Sequence, residues 1–256
     1  MAVEAVLLDL DGTLYTDAGP FPGAVEALAE LRRRGVPFRC VTNTTRRSRR
    51  LLADRLAGYG FAIPPADIIT AVMSGVSLLR SRGVERVAAY VAPETVEDFA
   101  GFDLEGAPEA VVVGDLGEAW DFQKLNAAFR QLMAGAELVA LQRDRYWLKG
   151  DALALDAGPF VAALEYATGR AATVCGKPAR AFYEAALASL PGAVAARARD
   201  VAMVGDDLWG DVEGAQQAGL TAWMVRTGKY REDVVAASGI TPDRIIDSVA
   251  ELPGLF

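Results

Sequence analysis

Two aspartates one residue apart, Asp9 and Asp11, follow the apolar run Val6-Leu7-Leu8 and precede Gly12-Thr13-Leu14. An unbroken apolar run that ends near a glycine reads as a buried parallel-type strand and the turn that closes it. Carboxylates at the carboxyl end of such a strand stand where open α/β sheets receive their ligands. Burying the two together costs free energy unless a cation or a proton offsets their charge. The pair therefore asks for a metal ion, a shared proton, or both. The competing reading is a loop in which Asp9 and Asp11 cap the next turn, since Asp is a preferred turn residue. A calcium loop fits poorly, because the third acidic position and the closing Glu are missing at the required spacing.

Three further segments end apolar runs with polar groups. Thr42-Asn43 follows Phe38-Arg39-Cys40-Val41, Gly176-Lys177-Pro178 follows Thr173-Val174-Cys175, and Gly205-Asp206-Asp207-Leu208-Trp209-Gly210-Asp211 follows Val201–Val204. In a parallel sheet all carboxyl ends face one edge, so these groups can converge on a single crevice. Gly-Lys at 176–177 and again at 228–229 lacks the upstream Gly and the following Ser/Thr of a phosphate-binding loop, so neither is a nucleotide site. Arg46, Arg47, Arg49 and Arg50 open what reads as a helix. Such a run is ordinarily a solvated face, but cations at a helix start oppose the helix dipole, and a phosphate would relieve that conflict. Arg46, nearest the strand end, is the candidate for a substrate contact.

The elements that would position these groups alternate. Val25, Leu28, Ala29 and Leu31 recur at helical spacing between Gly23 and Arg34, with Gly35 as a stop, and Arg46 to Tyr59 reads as a second helix. Strand, helix, strand, helix in that order predicts an α/β fold with a doubly wound parallel sheet. From Ser74 to Ala172 a smaller α/β unit follows. Strands are expected at Val87–Val91, Ala110–Val113 and Leu138–Leu141, with a helix at Phe122–Met133. A second helix opens at Gly158-Pro159 and carries Phe160, Ala163, Leu164 and Ala167 on one face. The expected organisation is thus a first core part at 1–73, an inserted α/β cap at 74–172 and a second core part at 173–256. A helix at Val212–Ala218, a strand at Thr221–Val225 and the terminal elements complete the sheet.

The totals bound the chemistry. The 256 residues suffice for a large core, and the net charge of −8 argues against a nucleic-acid partner while allowing a small anionic substrate. There is no histidine, which removes Ser-His-Asp and Cys-His catalysis and His-based zinc sites. Acid–base work falls to carboxylates, Lys or Tyr. The two cysteines, Cys40 and Cys175, lie in apolar runs and read as packing residues. Acidic residues interrupt the N-terminal apolar stretch, no run is long enough to span a bilayer, and a cytoplasmic location is expected.

Taken together and in order, Asp-x-Asp-Gly-Thr at 9–13, Thr-Asn at 42–43, Gly-Lys-Pro at 176–178 and Gly-Asp-Asp-x-x-x-Asp at 205–211 resemble the haloacid dehalogenase superfamily of phosphotransferases. The inserted unit and Gly158–Gly169 are similar to that superfamily's type IIA, capped members. Gly-Asp-Leu at 114–116, Trp-Asp-Phe at 120–122 and Arg-Tyr-Trp at 145–147 look most like the branch of phospholysine, phosphohistidine and pyrophosphate phosphatase. The resemblance implies a Mg²⁺-dependent phosphatase with a HAD core and a cap, acting on a small phosphorylated substrate. It implies that Asp9 is the nucleophile that forms an aspartyl-phosphate and Asp11 the acid and then the base. It gives Asp9, Asp206 and the main-chain carbonyl of Asp11 as metal ligands, with hard oxygen donors matching Mg²⁺. It also implies that Thr42, Asn43 and Lys177 would hold the phosphate and that Asp207 or Asp211 would orient metal waters or Lys177. The stretch Leu141–Trp147 sits where a substrate loop would be, or is an exposed turn with Tyr146 and Trp147 packed beneath it. A homodimer through the cap follows from the resemblance alone. Two alternatives stay open: a non-catalytic binding or regulatory protein on the same fold, and a phosphotransferase to an acceptor other than water.

Overall fold

Strand β1 (Ala5–Asp9) is buried along its whole length, because successive side chains enter two different apolar layers. Val6 and Leu8 join Ala24, Leu28 and Leu31 of helix α1 (Ala24–Arg33) and Leu52 and Leu56 of helix α2 (Arg49–Gly58). Ala5 and Leu7 join Phe182, Tyr183 and Ala186 of the Arg180–Ala188 helix on the other face. This is a computed structural model that describes residues 3–149, 152–192 and 197–256.

The remaining strands of this sheet are β2 (Phe38–Thr42), β3 (Ile68–Thr70), β4 (Val201–Gly205), β5 (Thr221–Val225) and β6 (Arg244–Ile246), in the order β6-β5-β4-β1-β2-β3. β1 runs parallel to both its neighbours, β4 and β2, and β4-β5 and β5-β6 are parallel too. From β1 the chain leaves toward β2 on one side and returns at β4 on the other, so the strand order reverses at β1. Register then fixes which residues reach the sheet edge together. Leu8 lies opposite Val204 and Asp9 opposite Val41, which brings Asp9, Thr42 and Asp206 to the same carboxyl edge at the switch point.

The chain divides into two units: Met1–Thr42, Leu52–Ile69 and Lys177–Phe256 form one, Asn43–Leu51 and Thr70–Gly176 the other. The second unit has its own parallel sheet, in the order Thr173–Val174, Glu137–Ala140, Ala110–Val113, Val87–Tyr90. Its inner strand Ala110–Val113 sends Ala110 and Val112 into a layer with Val72, Val76 and Leu79, and Val111 and Val113 into one with Leu132, Val161 and Leu164. A two-stranded antiparallel hairpin, Tyr146–Lys149 with Ala152–Leu155, belongs to the same unit.

Four local expectations are corrected. The second helix begins at Arg49, not Arg46; Ser48 accepts the N–H of Leu51 at 3.3 Å and so stands at the helix start. The Ala157–Thr168 helix buries Ala157, Gly158, Val161 and Leu164, while Ala163 and Ala167 are exposed. Helical structure after β4 starts at Leu208 rather than Val212, because the Asp207 carboxylate caps that turn. Tyr146 is not packed beneath its loop but exposed; the side chain of Trp147 lies outside the described residues. Cys40 and Cys175 are both buried and free, as packing residues should be.

Leu7 is fully buried in the layer between the sheet and the Arg180–Ala188 helix. Leu7→Ala is expected to cost about 2–5 kcal/mol, read as a lower urea midpoint.

Candidate active site

The Lys177 ammonium lies between two buried carboxylates, 2.5 Å from Asp9 Oδ1 and 2.6 Å from Asp211 Oδ1. Burial alone would push its proton off, but the charges of Asp211 and Asp9 outweigh that and hold it well above the ordinary lysine range. Asp206 joins the same group: oxygens of Asp9, Asp206 and Asp211 lie within 4.8 Å of one another. Burial, then the charges of Asp9 and Asp211, push Asp206 up to about 8. Burial raises Asp211 to about 7 against the pull of Lys177, with Asp9 adding to the rise. Burial also raises Asp9, partly offset by Lys177. Lys177 pairs with two of these acids and Lys229 acts on Asp206 from beside it, and three buried carboxylates gathered this closely fit a hard divalent cation bound through oxygen.

Glycines permit this crowding. Gly12 and Gly228 both have positive φ, and a Cβ on either would strike the Asp206 carboxylate. A Cβ on Gly205 would strike Asp211. These positions exclude side chains because carboxylates occupy the space. Asp211 also accepts the N–H of Asp207 at 3.0 Å, and Tyr183 donates its hydroxyl to the carbonyl of Gly210 in the same turn.

The two acids after Asp206 have different partners. Asp211 holds Lys177, whereas Asp207 accepts the N–H groups of Trp209 and Gly210 at 3.1 and 2.9 Å and pairs with Lys229 at 2.7 Å. Burial would raise Asp207, yet Lys229, with the Gly210 N–H, keeps it below the usual carboxylate range. Asp11 is exposed beyond the end of β1, where Gly12 N–H donates to the Tyr15 carbonyl at 2.8 Å. Thr42 is buried at the end of β2.

Sequence reasoning overlooked Thr227-Gly228-Lys229, which follows β5. The Lys229 N–H donates to Asp206 Oδ2 at 2.7 Å, and the Thr227 hydroxyl donates to the Gly12 carbonyl at 2.6 Å. Gly228-Lys229 fails as a nucleotide loop, but its place after a core strand was the signal that it reaches this edge. Asn43 and Arg46 belong to the second unit. There Arg46 pairs with buried Asp115 at 2.9 Å. In the loop before the hairpin, buried Gln142 bridges the Asp156 carboxylate and the N–H of Asp144, leaving Arg143, Asp144, Arg145 and Tyr146 exposed.

Two family models match the chain, one described as haloacid dehalogenase-like hydrolase over residues 6–105 and one as HAD-hydrolase-like over residues 174–252. Human haloacid dehalogenase-like hydrolase domain-containing protein 2 is 44% identical over 90% of this chain and 86% of its own length. The chain belongs to the haloacid dehalogenase-like hydrolases. Within the family, human phospholysine phosphohistidine inorganic pyrophosphate phosphatase is 36% identical over 99% of this chain and 94% of its own. The crystal structure of a glycerol phosphate phosphatase from Mycobacterium tuberculosis in complex with calcium superposes with a TM-score of 0.84 at 31% identity, over 97% of this chain and 74% of that one. Among the described residues no helix is long and apolar enough to cross a membrane.

Asp206 and Asp211 bind protons more tightly in the folded chain than at the ordinary Asp value of 3.8. Their contribution to stability is complete below that value and is lost as pH rises through about 7 and about 8. In EDTA the melting temperature is therefore expected to fall between pH 5 and pH 8. An added divalent cation should restore it most at the upper end, by mass action on the ionised group. A flat profile in EDTA would contradict this electrostatic reading.

Proposed function

We propose that the chain is a Mg²⁺-dependent phosphatase that acts on a small phosphorylated substrate through an aspartyl-phosphate on Asp9. The observation that carries the reading is Asp9 itself. It ends the switch-point strand of a haloacid dehalogenase-like hydrolase, is held by Lys177 at 2.5 Å, and shares a buried group with Asp206 and Asp211. Two of the relatives are named as phosphatases, one of phospholysine, phosphohistidine and inorganic pyrophosphate and one of glycerol phosphate.

In the first step Asp9 attacks phosphorus through Oδ2, the oxygen opposite the one that Lys177 holds. The bond from phosphorus to the leaving oxygen breaks, and protonated Asp11 gives that oxygen its proton. In the second step the Asp11 carboxylate takes a proton from water as the water attacks the same phosphorus. The bond to Asp9 breaks with its electron pair returning to the carboxylate, and orthophosphate leaves. Asp11 can serve because it is exposed at the strand end, where water can reach it. Lys177 offsets charge on Asp9 and on the phosphoryl oxygens, and Asp211 fixes the ammonium in place. The Thr42 hydroxyl supplies a donor to the phosphoryl group. Asp9, Asp206 and the Asp11 carbonyl would hold the metal, with Asp207 engaged by Lys229 instead. When bound, Mg²⁺ offsets the negative charge of the carboxylates and of the phosphoryl oxygens.

The test is phosphate release from phosphomonoesters, pyrophosphate and phosphoramidates, with Mg²⁺ or EDTA. Release should require metal, should vanish in Asp9→Asn, and should fall by about 10²–10⁴ in kcat in Asp11→Asn. Full activity in folded Asp9→Asn would defeat the mechanism. Transfer of phosphate to an added alcohol in place of water would make the enzyme a phosphotransferase.

A further inference from the structure

One tripeptide touches both acid loops of the site. The Thr227 hydroxyl holds the Gly12 carbonyl, Gly228 packs its bare Cα face against the Asp206 carboxylate, and the Lys229 N–H holds Asp206 Oδ2. The Lys229 ammonium adds a contact to Asp207, the next residue of the second loop. β5, which delivers this segment, is separated from β1 by β4. The tripeptide therefore fastens together two loops that arise from adjacent strands. Gly228 has φ of 59°, a conformation that L side chains rarely adopt, and the space a methyl would need is taken by Asp206.

We propose that Thr227-Gly228-Lys229 is a positioning segment that sets the affinity of the site for its divalent cation. It does so by fixing the Asp206 carboxylate and the Asp11–Gly12 main chain relative to each other. The proposal rests on the reading of Asp206 and the Asp11 carbonyl as metal ligands. A donor that holds one carboxylate oxygen leaves the other oriented toward the ion, and removal of such an orienting partner typically weakens metal binding by about 10–100-fold. Thr227 and Gly228 act on the Gly12 carbonyl and the Asp206 carboxylate, so their effect should appear in metal affinity rather than in substrate affinity once metal is saturating.

The experiment is calorimetric titration of the metal-free protein with Mg²⁺, beside kcat and KM at saturating Mg²⁺. Thr227→Val and Gly228→Ala are expected to bind Mg²⁺ at least about ten-fold more weakly, and Thr227→Ser, which keeps the hydroxyl, to bind as the wild type does. KM at saturating metal should stay unchanged in Thr227→Val. Circular dichroism checks folding, and Thr227→Ala replaces the valine variant if that one does not fold. Asp206→Asn serves as the reference for loss of a ligand. Wild-type affinity in Thr227→Val and Gly228→Ala, with binding lost in Asp206→Asn, overturns the inference and leaves the metal reading intact. Wild-type affinity in Asp206→Asn overturns both.

Discussion

The arrangement depends on a single ammonium shared by two buried carboxylates. Lys177 offsets part of the cost of burying Asp9 and Asp211 together, since an unpaired buried charge costs several kcal/mol. The three residues come from the end of β1, the segment after Thr173–Val174 and the helical turn after β4. Their meeting requires the parallel register that sets Asp9 opposite Val41 and Leu8 opposite Val204. The apolar layers on both faces of β1 hold that register, so the core acts on the chemistry by fixing where strands end.

The lysine does not neutralise the group. Asp206 brings a third carboxylate, and burial then favours either protons or a cation. This is the same conflict that the Asp9-Asp11 pair raises in the sequence, sharpened by partners that are far away in the chain. The glycines at 12, 205 and 228 belong to that conflict as well, because each leaves room for a carboxylate where a side chain would stand. Lys229 and the helix-capping bonds draw Asp207 out of the group. Asp211 is thereby left as the acid that steadies Lys177.

Much of this was legible in the residues. Apolar runs marked β1, β2, β4 and β5, and the polar groups at their ends converged as a parallel sheet requires. Cap-like elements at Ala110–Val113 and Phe122–Met133 were equally clear from period and length. What escaped depended on side-chain bonds that carry no period. Ser48 and Asp207 moved two helix starts by capping them, and the Ala157–Thr168 helix chose Val161 over Ala163 because its neighbours, not its own pattern, decide which stripe is covered. The roles of Asp207 and Asp211 could not be separated by spacing alone, since both lie within one turn of Asp206. Thr227-Gly228-Lys229 escaped because it works through a hydroxyl and a main-chain N–H, which no residue pattern announces.

The central claim is covalent chemistry at Asp9, and it can be observed directly. Rapid acid quench during turnover, followed by borohydride reduction and peptide mass spectrometry, converts an acyl phosphate into homoserine at the modified position. The account predicts homoserine at position 9 and nowhere else, appearing only with substrate and Mg²⁺. Turnover of substrate with Asp9 recovered unmodified at every quench time would contradict it.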